Sequence, residues 1–273
     1  MPYNRRLAER QRRRLLRGEQ PISRLFPNMI TILGMCCGLS AIRFAMLGRF
    51  EISVAFIIAA AIIDGMDGRV ARMLGATSNF GAQLDSLSDF VCFGVSPVLV
   101  LYMWQLKDVK GIGWAVVLFF PVCAALRLAR FNTALFDDKA EPWEKQFFTG
   151  IPSPAGGVLC LLPLIISIQT EYYFILPAYI TLIHVIIIGA MMASRIPTFS
   201  GKQIHIKHEW IPQFMILFSL LLVIFVIEPW LFLSALGFVY LCSIFFSVKR
   251  HKKLKNTSST VPNLHQQNTK SQN

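Results

Sequence analysis

Charge is scarce in this chain: Asp, Glu, Lys and Arg together make up 15% of the residues, against 54% that are hydrophobic. A soluble domain carries about 25% charged residues, so an ordinary water-soluble globule is excluded. The mean hydropathy of +0.53 agrees. Acidic residues are the scarcer kind, 15 against 27 Lys plus Arg, for a formal net charge of +12. Such a balance often marks a nucleic-acid binder. Here the basic residues gather at the chain ends and beside apolar runs, which suits anionic lipid headgroups and argues against a nucleic-acid partner.

Cysteine patterns are missing too. The six cysteines all lie in apolar segments, with no C-x-x-C and no Cys/His cluster. That argues against a disulfide framework or a zinc site and leaves them as small packing residues. The Arg-rich start "MPYNRRLAERQRRRLLRGEQPISR" is not followed by a short apolar core with a small-residue cleavage site. Residues 1–25 are therefore expected to stay as a basic cytosolic tail, either solvated or lying on the surface as a helix.

What the chain does have is long apolar runs. The pattern predicts an all-α, polytopic helical bundle with eight transmembrane helices near 26–48, 51–72, 80–104, 112–135, 151–169, 172–193, 211–227 and 229–248. A membrane domain over 26–248 is then followed by a basic and disordered tail over 249–273. Eight arginines precede the first span, and Lys249, Arg250, Lys252, Lys253 and Lys255 follow the last. An even span count with these flanks puts both tails in the cytosol. Arg69 and Arg72, Arg127 and Arg130, and Arg195, Lys202 and Lys207 then fall in inner connections.

Into this apolar frame the stretch "IIDGMDGRVARMLGATSNFGAQLDSLSDF" places Asp64, Asp67, Asp85 and Asp89. The first two are three apart and the last two four apart, so each pair shares a helix face. If the second and third spans pack as a hairpin, all four reach one depth near the cytosolic surface. Clustered carboxylate oxygens are natural ligands of two hard divalent ions, Mg²⁺ or Mn²⁺. Gly65, Gly68 and Gly81 would let a backbone or ligand come close. Arg72 and Ser78 could hold phosphate oxygens. The bland alternatives are interhelical salt bridges or a cation-conducting path in a transporter. The interleaved glycines and arginines favour a phosphoryl site.

Asp64, Asp67-Gly68, Ala71-Arg72, Gly81, Asp85 and Asp89 fill every fixed position of D-x2-D-G-x2-A-R-x8-G-x3-D-x3-D. This resembles the signature of the CDP-alcohol phosphotransferases. The resemblance implies a six-helix core within the bundle and divalent-metal-dependent transfer from a CDP-activated donor. It further implies that Asp64, Asp67 and Asp85 ligate metal, and that Asp89 is both ligand and the base that accepts the proton of the attacking alcohol. Gly68, Arg72 and Ser78 would touch the cytidine diphosphate. "PNMIT" resembles the family's P-N-x-x-T entry, which adds Asn28 and Thr31 to the nucleotide pocket; a plain helix start at Pro27-Asn28 is the alternative. Family members often form dimers, and the apolar spans permit a homodimer.

"ALRLARFN", "FTGIPSPAGG" and "ASRIPTFSGK" resemble the serine-using branch of that family. The expected reaction joins CDP-diacylglycerol and L-serine, with Mg²⁺ or Mn²⁺ as cofactor. Serine brings a carboxylate, which Arg127 and Arg130 could pair, with Asn132 for a polar group. The same arginines could instead be snorkelling anchors. Pro152 and Pro154 shape or cap the fifth span; His205 and His208 are too few for zinc. Inositol phosphate, glycerol phosphate or choline as acceptor would keep the aspartates but need another second pocket. The chain is compact and has no retrieval signal, so a bacterial inner membrane is expected over the endoplasmic reticulum.

Overall fold

A computed structural model describes residues 25–75, 78–134, 147–199 and 210–244, together with Ser247. Both tails lie outside these residues, as do Lys202, His205, Lys207 and His208. Nine helices are labelled in chain order: α1 (Phe26–Met46), α2 (Phe50–Met73), α3 (Asn79–Trp104), α4 (Lys110–Ala134), α5 (Ser153–Cys160), α6 (Leu162–Gln169), α7 (Ala178–Ala193), α8 (Ile211–Ile227) and α9 (Pro229–Ile244). The all-helical expectation is met, with one small exception. Strands β1 (Phe147–Thr149) and β2 (Pro197–Phe199) pair antiparallel, Phe147 opposite Phe199 and Thr149 opposite Pro197.

Among the described residues, three helical stretches are long and apolar enough to cross a membrane: Phe26–Met46, Asn79–Trp104 and Leu106–Thr133, and α7, α8 and α9 are shorter apolar helices. Helix α2 has the length, but its last ten residues carry Asp64, Asp67, Arg69 and Arg72.

Each expected apolar stretch contains helix among the described residues, and the departures at the fifth and sixth trace to proline. The fifth is broken at Leu161 into α5 and α6. Pro163 has no N–H, so the carbonyl of Leu159, four residues back, loses its helical donor. His184 on α7 replaces it: its Nε2 lies 2.8 Å from that oxygen. The sixth span begins at Ala178, not 172, because turns occupy the preceding residues and Pro177 stands at the cap.

Helix α3 is the centre of the bundle. Helices α1 and α2, joined by a three-residue turn whose Gly48 takes φ +72°, pack along one side of it. Side chains four apart on α3 tie it to α1 carbonyls. Ser88 Oγ donates to Thr31 O at 3.2 Å, Cys92 Sγ to Gly34 O at 3.3 Å and Ser96 Oγ to Gly38 O at 2.9 Å. A straight α-helix would carry such a row around its axis. The π-helical turn over Phe90–Val95 takes up part of that drift. Small residues permit the approach: a Cβ on Gly38 would lie 2.7 Å from Cys92 Sγ, and one on Gly157 would lie 2.9 Å from Phe93 Cα. The wholly buried Phe93, Phe120, Leu101, Ile165 and Ile188 fill the space between α3, α4, α6 and α7. Helix α8 buries none of its residues.

Candidate active site

The end of α2 and the start of α3 meet beside the first turns of α1. Asp64 and Asp67 leave α2 one turn apart, and Asp85 comes from the second turn of α3. One oxygen from each of these three carboxylates lies within 4.8 Å of the others. The expected four-aspartate set is thus gathered as a trio. Asp89 stands beside it, one turn further along α3, with its carboxyl in hydrogen-bonding contact with that of Asp64. Its Oδ1 is buried and has no hydrogen-bond partner. The donors are all oxygen, and three converge, which fits a hard divalent cation held by Asp64, Asp67 and Asp85. The orphaned Asp89 oxygen adds one more acceptor at the rim.

Thr31 makes a contact that its motif does not predict. Its Oγ1 donates to Asp67 Oδ2 at 2.8 Å, and both residues are buried. It orients a carboxylate while also lining the neighbouring pocket. That pocket is open, offers about 160 Å³ of cavity volume and is lined by Asn28, Thr31, Asp67, Gly68, Ser78 and Asp85 among others. Ser78 is the N-cap of α3, its Oγ accepting from Gly81 N at 3.0 Å. A Cβ on Gly81 would meet Asn28 Oδ1 at 3.0 Å and Ser78 Oγ at 3.2 Å, so glycine keeps these two polar groups in place. Nothing lies within 4 Å of a Cβ built on Gly65 or Gly68. Protein packing does not demand glycine there; open space faces both. Arg72 is exposed and its Nε donates to Gly68 O at 3.0 Å, which folds the guanidinium back along α2.

The three residues expected to bind serine separate. Arg127 Nη1 donates to Ser153 Oγ, its Nε is buried without a partner, and the guanidinium is in electrostatic reach of Asp89 and Asp64. Arg130 instead closes the end of α7, donating from Nη1 to Ser194 O at 3.1 Å and from Nη2 to Ala193 O at 2.9 Å. A guanidinium at a helix C-terminus satisfies carbonyls left without donors. Asn132 Oδ1 accepts from Ser86 Oγ at 3.0 Å, joining α4 to α3 one residue from Asp85. Ser153 and Ser86 were not singled out by sequence reasoning. Ser153 lay inside the quoted "FTGIPSPAGG", where the two prolines drew attention instead.

Residues 24–196 match the family model described as CDP-alcohol phosphatidyltransferase, and residues 209–244 match CDP-alcohol phosphatidyltransferase 2. Curated relatives agree with this assignment. The CDP-diacylglycerol–serine O-phosphatidyltransferase of Mycobacterium leprae (strain TN) is 38% identical over 231 residues, covering 84% of this chain and 76% of the relative. The protein of that name from Helicobacter pylori (strain ATCC 700392 / 26695) is 34% identical over 221 residues, 80% of this chain and 88% of the relative. The Bacillus subtilis (strain 168) protein of that name is 35% identical over 151 residues, 53% of this chain and 81% of its own.

Proposed function

The chain belongs to the CDP-alcohol phosphatidyltransferase family, and from that membership we propose that it transfers the phosphatidyl group of CDP-diacylglycerol to the hydroxyl of L-serine. The products are phosphatidylserine and CMP. The observation that carries the proposal is the juxtaposition of two unlike centres. A carboxylate trio lies beside the Asn28–Ser78 pocket, and the Arg127 guanidinium is in electrostatic reach of Asp89 and Asp64. The printed names of the relatives support serine as the acceptor.

Asp64, Asp67 and Asp85 would hold Mg²⁺ or Mn²⁺, with Asp89 completing a two-ion site. Bound there, the ions would offset the pyrophosphate charge and stabilise the leaving CMP oxygen. Asn28, Gly68 and Ser78 would receive the cytidine diphosphate, with Arg72 turning from Gly68 toward a phosphate oxygen. Thr31 keeps Asp67 aimed at the cluster. The orphaned oxygen of Asp89 accepts the proton of the serine hydroxyl as the new O–P bond forms and the P–O bond to CMP breaks. The pocket hydroxyls are engaged elsewhere, Thr31 with Asp67 and Ser78 with Gly81 N, which favours direct attack.

The serine carboxylate needs a cation, and Arg127 is the better placed of the two candidates. Arg130 already has two donors committed to α7; its role is to hold the acceptor wall in shape. Asn132, near Asp85, is suited to a polar group of the substrate. All eight helical spans would cross a bacterial inner membrane with both termini and the active site on the cytosolic side. The acyl chains would then stay in lipid while serine enters from water.

A panel of radiolabelled alcohols offered to the purified protein with CDP-diacylglycerol and Mn²⁺ tests the proposal. Label should enter lipid from serine, with one CMP per phosphatidylserine. If serine stays in the aqueous phase while inositol phosphate, glycerol phosphate or choline reacts, the acceptor assignment is lost.

A further inference from the structure

Among the described residues, a buried acceptor on α3, Asp89 Oδ1, and a buried donor on α4, Arg127 Nε, are both without a hydrogen-bond partner. The register of the two helices puts them at nearly the same level. A Cβ on Gly94 would lie 2.9 Å from Ala124 Cβ, and Ser86 Oγ meets Asn132 Oδ1 at 3.0 Å. Between these contacts the number falls by eight on α3 and rises by eight on α4, so the helices run antiparallel in one register. Arg127 therefore stands opposite residue 91, about 3 Å along the axis from Asp89 at 1.5 Å per residue. Buried donors and acceptors are normally satisfied. Two complementary groups left open so close together mark a place for a ligand that gives a proton and carries an anion.

What fixes the guanidinium there is Ser153, the first residue of α5, whose Oγ accepts from Arg127 Nη1. Ser153 is wholly buried and stands between Pro152 and Pro154. Each proline ring locks its own φ. Gly156 N donates to Pro152 O at 2.8 Å, which closes the turn around the serine. One turn on, a Cβ at Gly157 would lie 2.9 Å from Phe93 Cα, so α5 presses on the π-helical turn that follows Asp89. This end of α5 makes no side-chain cap bond. The Ser153 hydroxyl serves Arg127 and not its own helix.

We propose that Ser153 is a positioning residue of the acceptor site: by holding Arg127 Nη1 it turns the Nε–Nη2 edge of the guanidinium toward the carboxylate of the incoming alcohol. A guanidinium can bind a carboxylate through two parallel N–H donors. Occupying Nη1 removes the end-on Nη1–Nη2 edge and leaves the side-on edge, which contains the unpartnered Nε. Arginine has several rotatable bonds, and an acceptor on a rigid turn selects among its rotamers before substrate arrives. With its carboxylate on that edge, the substrate has its hydroxyl directed to Asp89 Oδ1. The inference rests on serine, or another alcohol carrying an anionic group, being the acceptor.

The test is Ser153→Ala and Ser153→Cys in the full-length protein; cysteine keeps the bulk, but its sulfur is a weak acceptor. In both, the KM for L-serine should rise about tenfold, the scale of a lost hydrogen bond to a charged group. The kcat and the KM for CDP-diacylglycerol should stay within about twofold on the same reasoning. An unchanged serine KM overturns the proposal, and the cysteine variant decides where alanine loosens the fold. Competition by L-serine amide, which has no carboxylate, gives a readout that a merely structural role would not separate from serine. Its inhibition constant should hold while serine weakens; equal weakening of the two defeats the proposal. In an Arg127→Lys background, Ser153→Ala should add less than about twofold, because the hydroxyl acts through the guanidinium. A full further loss there would show that it does not. A wild-type protein that uses a different alcohol and not serine removes the acceptor assignment alone, and Ser153 is then judged on the KM of that alcohol.

Discussion

Thr31 on α1 donates its hydroxyl hydrogen to Asp67 on α2 across 2.8 Å, and the pair is almost wholly buried. A carboxylate placed to bind a cation needs its second oxygen fixed, or the first swings out of position. The hydrogen bond also welds the entry of α1 to the charged end of α2, so a contact between helices sets the geometry of the metal cluster. Loss of such an outer partner typically lowers metal affinity or activity about ten- to a hundredfold.

Thr31→Val should therefore lower CMP release by that factor and raise the Mn²⁺ or Mg²⁺ concentration needed for half-maximal activity. Thr31→Ser should retain most of both. A metal titration of the three proteins decides it, and identical metal requirements would remove Thr31 from the supporting shell.

Asp64→Asn, Asp67→Asn, Asp85→Asn and Asp89→Asn should each reduce transfer by at least about a hundredfold, the scale seen when one group aimed at transition-state charge is deleted. Adding EDTA to the wild-type protein should abolish CMP release, with Mg²⁺ or Mn²⁺ restoring it. Full turnover in EDTA would be incompatible with a carboxylate-held cation.

His184→Ala leaves the Leu159 carbonyl with no donor, since Pro163 cannot supply one. An unsatisfied buried acceptor costs about 1–3 kcal/mol. The variant should unfold at lower temperature in detergent, and His184→Gln, which can still donate, should recover part of the loss. Equal melting of all three would show that the break between α5 and α6 needs no external donor.

Gly65 and Gly157 make a contrasting pair. A methyl at Gly157 would press on the Phe93 backbone at 2.9 Å, so Gly157→Ala should destabilise the bundle by about 1–3 kcal/mol. At Gly65 a Cβ meets nothing within 4 Å, and Gly65→Ala should leave stability the same or slightly higher. Activity lost by Gly65→Ala in a well-folded protein would then report crowding of a ligand. Thermal unfolding alongside CMP release separates the two effects.

Arg127→Lys keeps the charge but loses the fork that meets Ser153. The serine KM should rise by about tenfold, with the CDP-diacylglycerol KM nearly unchanged. A variant with normal serine kinetics would move the carboxylate site elsewhere.

Much of this was legible in the residues themselves. The helix limits were close because apolar length and flanking arginines are local signals, and α1, α2 and α3 begin and end within a few residues of expectation. The eight-residue signature identified the family for the same reason: its spacing is a property of two consecutive helices. Arg127 and Arg130 show where such reasoning stops. They are three apart on one helix, with the same chemistry, and a sequence cannot tell which one meets the helix end and which one meets Ser153.

Composition and spacing alone determined that this is a helical membrane protein whose carboxylates lie in pairs on two adjacent helices, since bilayer burial and helical periodicity act on neighbours in the chain. Only the tertiary structure decided that three of the four converge while Asp89 stands at the rim, that Thr31 steadies Asp67, and that Arg127 faces the site while Arg130 turns away. Those outcomes depend on how closely α1, α3, α4 and α5 approach one another. That approach is set by small side chains and by carbonyls meeting hydroxyls across helices, contacts between residues far apart in the chain.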